Sequence, residues 1–154
     1  MEPRTAVVPV EDIFDLRWRV LRPGLPRESA IFLEDGHPLA FHMAAYGDGG
    51  DGGDGGEEVV ACVTFFPEQL PGDTAIAYRI RGMATAPEVR GRGYGAALLH
   101  AALEQARQRG AELVWCNGRT SARGFWEGQG FMVVGEEFVL EPAGPHFLFV
   151  AKLV

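Results

Sequence analysis

The stretch VRGRGYGAALL, Val89 to Leu99, places three glycines and two arginines directly ahead of an apolar helical stripe. A tight glycine turn that leads from a strand into a helix aims backbone N–H groups and the positive helix end at one point, and that point is an anion site. Glycine lets the backbone approach an anion without a Cβ in the way. One negative charge at a helix end gains roughly 0.3–2 kcal/mol. A pyrophosphate touching several amides gains several such terms, plus charge-assisted hydrogen bonds. Arg90 and Arg92 either add neutralisation or are solvated surface charges. Gly91, Gly93 and Ala96 also satisfy G-x-G-x-x-A, the dinucleotide fingerprint. That fingerprint belongs to the first strand–helix unit of its domain and wants an acid about 20 residues on. Here the turn lies at mid-chain, the next strand ELVWCN ends at Asn117, and its acid, Glu112, is at the wrong end. No G-K-[ST] follows, which excludes a P-loop. An NAD- or FAD-dependent oxidoreductase therefore rests on the glycine triplet alone.

The elements that must position this turn can be read from periodicity and breakers. Thr5–Val10 reads as a short strand, followed by a helix opened by Glu11 and Asp12, with Ile13, Phe14, Leu16, Val20 and Leu21 at helical spacing. Pro23 and Pro26 end it. Residues 28–38 read as a loop anchored by AIFL. LAFHMAAY and EEVVACVTFF read as two strands, joined by GDGGDGGDGG (Gly47–Gly56), which is expected to be a flexible loop over about 47–57. TAIAYRIRGMATA is a third long strand, stopped at Pro87. A helix runs from Gly93 to Arg109 with Leu98, Leu99, Ala102, Leu103 and Ala106 as its stripe and Gly110 as its stop. AELVWCN is a buried strand, SARGFWEGQ a short helix, and FMVVGEEFVL and HFLFVAKLV two closing strands. The order β-α-β-β-β-α-β-α-β-β is that of a mixed α/β domain with one central crossover.

Composition narrows the function classes. The chain has 154 residues, 47 % apolar and 23 % charged, with a formal net charge of −7. That is one globular domain with a real core. The acidic balance argues against a nucleic-acid binder, and no apolar run is long enough to span a bilayer. The N-terminus lacks an apolar signal region, so a cytoplasmic protein is expected. Cys62 and Cys116 lie in apolar runs and read as buried small hydrophobes. The four histidines are scattered without metal-ligand spacing, so no metal is expected.

The same stretch resembles the R/Q-x-x-G-x-G/A motif of the GNAT superfamily of N-acetyltransferases, as Arg90-x-x-Gly93-x-Gly95. RGMATAPEVRGRGYGAALL is similar to the family's strand, proline and coenzyme A loop in one run, and NGRTSARGFWEGQGF to its N-x-x-…-F-Y-x-x-x-G-F segment. The likeness covers roughly Ala75 to Phe131. It implies a single α/β domain over residues 1–154, with a mixed central sheet of about six to seven strands, one pair splayed, flanked by helices. It also implies acetyl-CoA as co-substrate and a primary amine of a small molecule or peptide as acceptor. In this reading Arg90, Gly91, Arg92, Gly93, Tyr94, Gly95 and Ala96 hold the pyrophosphate. The backbone of Met83, Ala84 and Thr85 pairs with the pantetheine arm, and one of those amides polarises the thioester carbonyl. Asn117, Phe125 and Trp126 border the arm. Phe125, Trp126 and Phe131 have a plain alternative as core, and Asn117 as a turn residue. The resemblance further implies pairing of two copies through the C-terminal strands.

Two family residues are missing. The tyrosine acid of F-Y-x-x-x-G-F is Trp126 here, whose indole N–H donates but is not a useful acid. The glutamate base of the histone-modifying members falls, by counting, at Arg79. Acetyl transfer needs a neutral amine, and an alkyl amine of pKa near 10.4 is about 0.1 % neutral near pH 7.4, a deficit of roughly 4 kcal/mol. His146, after a G-P turn, is the candidate base. His42 is a candidate on the acceptor side, or simply a satisfied strand residue. Period-two alternation puts Arg79, Arg81, Met83 and Thr85 on one face. Arg79 and Arg81 then either bind an acidic group of the acceptor or pair with acids such as Glu136 and Glu137. These departures leave a second reading open, an acyl-CoA-binding or sensing module of the same fold.

Overall fold

Alternating and helical periodicity resolve, among the described residues, into seven strands and three α-helices. They are β1 (Thr5–Val8), α1 (Val10–Leu21), β2 (Phe41–Tyr46), β3 (Val59–Pro67), β4 (Ala77–Thr85), α2 (Tyr94–Gln108), β5 (Leu113–Arg119), α3 (Arg123–Gly128), β6 (Met132–Leu140) and β7 (Gly144–Lys152). This computed structural model describes residues 3–47 and 58–153. Apart from Gly47, the glycine–aspartate repeat and its expected flexibility lie outside the described residues. The sheet has seven strands in the order β1-β2-β3-β4-β5-β7-β6. Its β1–β2, β2–β3, β5–β7 and β6–β7 pairs are antiparallel, and β4–β5 is parallel. The β4–β5 register covers Ala77–Arg79 against Leu113–Trp115. The α/β class and the mixed sheet flanked by helices are as expected.

The chain forms two compact units, Met1–Phe66 with Ile80–Glu104, and Pro67–Arg79 with Gln105–Val154. In the first unit, α1 buries Ile13, Leu16 and Arg17 against the sheet, with Ile13 and Leu16 in one cluster with Ala44, Val60, Cys62, Ala84 and Ala86. Residues 13, 16 and 17 share a helix face by three- and four-residue spacing. That face therefore carries an arginine into the interior. The loop after α1 forms two 3₁₀ turns, Arg27–Ala30 and Leu33–Gly36. Within its AIFL anchor, Ala30 and Phe32 are buried, whereas Ile31 and Leu33 are exposed.

α2 starts one residue after Gly93 and buries Leu98, Leu99, Ala102 and Ala106. It stops where expected: Gly110 takes φ +94° and the Ala111 N–H reaches back to the Ala106 carbonyl at 3.0 Å. In the second unit, Leu70, Ala77, Leu113, Trp115 and Val150 form a core. Among the described residues, no helix is long and apolar enough to cross a membrane.

Candidate functional site

The glycine turn has the backbone that the sequence calls for. Gly91 and Gly93 adopt φ +80° and +88°, the left-handed region that glycine enters without strain. A Cβ added at either would enter open space, so the turn presents bare backbone to its surroundings. The Ala97 N–H bonds to the Gly93 carbonyl at 3.0 Å. The helix's own ladder thus begins there, and the first-turn amides of Tyr94, Gly95 and Ala96 precede it. Gly95 has a different reason to be glycine. A Cβ there would lie 3.2 Å from Thr85 Oγ1 and 3.6 Å from Met83 Cε, so the start of α2 sits directly on the end of β4. Arg90 and Arg92 are exposed, and the Arg90 Nε–H folds back to donate to the Thr85 carbonyl at 3.2 Å. The structure thus brings Met83, Thr85, Arg90 and the glycine turn together within the first unit. Bare, positive-φ backbone beside a helix N-terminus fits a phosphate group.

The two arginines of β4 each stand beside an acid. Gly82 takes φ +66° inside the strand, between Arg81 and Met83. Arg81 donates to Glu34 at 2.9 Å and stacks over Phe32, 4.1 Å from its centroid. Arg79 bonds Glu68 at 3.3 Å and lies over Trp115 at 4.9 Å. The acids that engage them are therefore Glu34 and Glu68, not Glu136 and Glu137. Glu137 instead accepts from the Thr120 hydroxyl at 2.9 Å. Each arginine has a carboxylate beside it, with which an acidic group of an acceptor would share the guanidinium.

His42 and His146 are both buried, at 7 % and 6 % exposure. His42 stands on β2 with its Nδ1 2.8 Å from Thr64 Oγ1 on the neighbouring strand. Its pKa is lowered, first by burial and then by Arg17, while Asp35 and Glu11 oppose the shift. His146 is the third residue of β7, opposite Arg119 and Phe138, with Phe138 stacked 6.1 Å away. Its Nδ1 is 2.7 Å from the Gly144 carbonyl. A carbonyl can only accept, so Nδ1 carries a proton and donates it. In the neutral ring this leaves Nε2 with the lone pair, the form a general base requires.

Trp126 is a core residue. It is 7 % exposed and packs with Phe125 at 5.3 Å, Phe131 at 5.1 Å and Phe149 at 6.0 Å. Its Nε1 would be only 2.7 Å from a Cβ at Gly118, so this indole rests on a strand position that has to be glycine. Phe131 is buried with it, while Phe125 and Asn117 are half-buried. No cluster of three or more His, Cys, Asp or Glu side chains is placed to hold a metal among the described residues.

Arg17, Thr64, Asp35 and Phe32 lie outside the motifs of the sequence, and Gly82 lies within one that assigns it no role. Arg17 is fully buried, bonds Asp35 through both carboxylate oxygens at 2.7 and 3.0 Å, and stacks 4.1 Å from the Phe32 centroid. Two signals pointed there: an arginine on the apolar stripe of α1, and a lone glycine inside a strand.

The model of the acetyltransferase (GNAT) family matches residues 10–131. An N-acetyltransferase of Bacillus subtilis, YitI, itself uncharacterized, is 31 % identical over 147 residues, covering 95 % of this chain and 93 % of its own. Escherichia coli ElaA has a similar fold, with TM-score 0.76, 16 % identity and coverage of 97 % and 99 % of the two chains. The E. coli GNAT-family N-acetyltransferase YhbS, solved with CoA, gives TM-score 0.74 at 18 % identity, covering all of this chain and 83 % of that one. The chain belongs to the GNAT acetyltransferase family.

Proposed function

We propose that the protein transfers an acetyl group from acetyl-CoA to a primary amine of a small molecule or peptide, as one N-acetyltransferase domain. The observation that carries this is the turn at Gly91 and Gly93, whose bare positive-φ backbone opens onto the first-turn amides of α2. Residues 90–96 would hold the pyrophosphate through those amides, with Arg90 and Arg92 adding positive charge. The backbone of Met83–Thr85 would hold the pantetheine arm and donate one N–H to the carbonyl oxygen where negative charge develops. The thioester supplies the activated acyl group. His146 is the candidate base, with Nδ1–H anchored on Gly144 and the lone pair on Nε2 to take the amine's proton. Asn117 and Phe125 are further candidates for contact with the arm.

The burial of Trp126 and the pairing of Arg79 with Glu68 favour one alternative, an acyl-CoA-binding module without turnover. Two measurements decide. Acetyl-CoA and CoA, but not NAD, should raise the melting temperature, and a shift with NAD alone overturns the reading. Release of CoA thiol over a panel of amines, amino acids and peptides should then exceed the rate with acetyl-CoA alone. Binding without release from any acceptor selects the module.

A further inference from the structure

Arg17 has five N–H donors and no acceptor. The four on its Nη atoms are engaged. Nη1 donates to the Ala30 carbonyl at 3.0 Å and to Asp35 Oδ2 at 2.7 Å. Nη2 donates to Asp35 Oδ1 at 3.0 Å and to Thr64 Oγ1 at 2.6 Å. Thr64 therefore receives a hydrogen bond, and its own hydroxyl hydrogen needs an acceptor. Thr64 is fully buried, and among the described residues the acceptor in reach is His42 Nδ1 at 2.8 Å. A neutral imidazole that accepts at Nδ1 carries its hydrogen at Nε2. The charged groups that act on the ring are Arg17 and Glu11 of α1 and Asp35 of the loop after it. Burial outweighs them and favours the neutral ring.

We propose that Arg17, acting through Thr64, holds His42 as an Nε2–H hydrogen-bond donor for a neutral oxygen, amide or hydroxyl, of the acceptor amine. Arg17 is a positioning residue: it fills one lone pair of Thr64 Oγ1 and fixes the hydroxyl in the interior, where His42 Nδ1 is the acceptor for the hydroxyl hydrogen. The neutral oxygen follows from charge. Arg17 is matched by Asp35 and Arg81 by Glu34, so these charges already balance, and a carboxylate brought against the buried ring would be desolvated with no net positive charge to meet it. A neutral oxygen needs only the donor. The identity of the ligand rests on the acyltransferase reading; the relay does not.

The test uses the ¹⁵N-labelled full chain, with the His42 ring assigned by loss of its signals in His42→Gln. The ring should show a protonated Nε2 and an unprotonated Nδ1 at neutral pH. Thr64→Ser, which keeps the hydroxyl, should preserve that single tautomer, and Thr64→Val should lose it. A wild-type ring protonated at Nδ1, or a Thr64→Val ring unchanged at Nε2, overturns the relay. Glycinamide and glycine, added at equal ionic strength, then probe the ligand. Glycinamide should shift the Nε2–H resonance, with the shift lost in Thr64→Val. A larger shift with glycine, or none with either, overturns the neutral-oxygen assignment. None of these readouts requires turnover, so an absence of acyl transfer would count against the proposed function and leave the relay to be judged by itself.

Discussion

His42 in the first unit and His146 in the second are equally buried and both bond through Nδ1, yet they are opposite chemical objects. His146 faces a backbone carbonyl, which can only accept, so its lone pair is left on Nε2. His42 faces a buried hydroxyl that accepts from Arg17 and whose own hydrogen has His42 Nδ1 as its acceptor, so in the proposed relay the ring's proton is left on Nε2. Burial and residue type do not distinguish a base from a donor; the partner's hydrogen-bonding inventory does.

The sharpest way to break the contrast is kinetic. His146→Gln should lower kcat by roughly 10²–10⁴ while leaving the acetyl-CoA KM nearly unchanged. His42→Gln should act mainly on the acceptor KM. Equal losses of kcat in the two variants would erase the distinction between base and donor. Next is the cost of the relay's source. Arg17→Met leaves Asp35 without its cation, and denaturant unfolding should show a loss of about 3–5 kcal/mol. Arg81→Met breaks a pair whose members are 37 % and 28 % exposed, and the loss there should be about 0–1 kcal/mol. In the second unit, Gly118→Ala forces a Cβ against Trp126 and Phe149, and should cost about 1–3 kcal/mol by the same measurement.

The smallest effect is on pH. The pKa of His42 is lower in the folded protein than the ordinary 6.5, so below that value the unfolded chain binds the proton more readily. Folding stability should therefore fall as pH drops through and below about 6.5, by an amount that His42→Gln removes. An unchanged pH slope in that variant would show that burial does not hold this ring neutral.

The order of elements and the glycine turn were legible because each rests on local rules. Helical and two-residue periodicity, proline stops and positive-φ glycines act over a few neighbours. The strand start at Thr5, the α2 stripe and the Gly110 stop are of this kind. The relay was not legible in the same way. Arg17, Asp35, Thr64 and His42 are brought together only by the crossing of α1 over β2 and β3 and the return of the loop after α1. Alternation along β4 puts the two arginines on one face, but it does not say which acids come to meet them. The roles of Arg79 and Arg81 were left open because their partners, Glu68 and Glu34, are set by tertiary approach. Trp126 looked like a substituted acid in a motif; the motif fixes its position in the chain, whereas Gly118 and Phe149 fix what its ring touches.

The two cysteines bear on how the reaction can be seen. Cys62 and Cys116 have 0 % and 2 % of their surface exposed, and burial pushes the Cys62 thiol up to about 12 and the Cys116 thiol higher still. Since the thiolate is the reactive form, neither should react with a disulfide dye at neutral pH while the chain stays folded. In such a dye the folded protein is colourless, and every absorbance count beyond the dye's own background belongs to released coenzyme. The same dye becomes a counter of unfolded molecules once the substrates are left out.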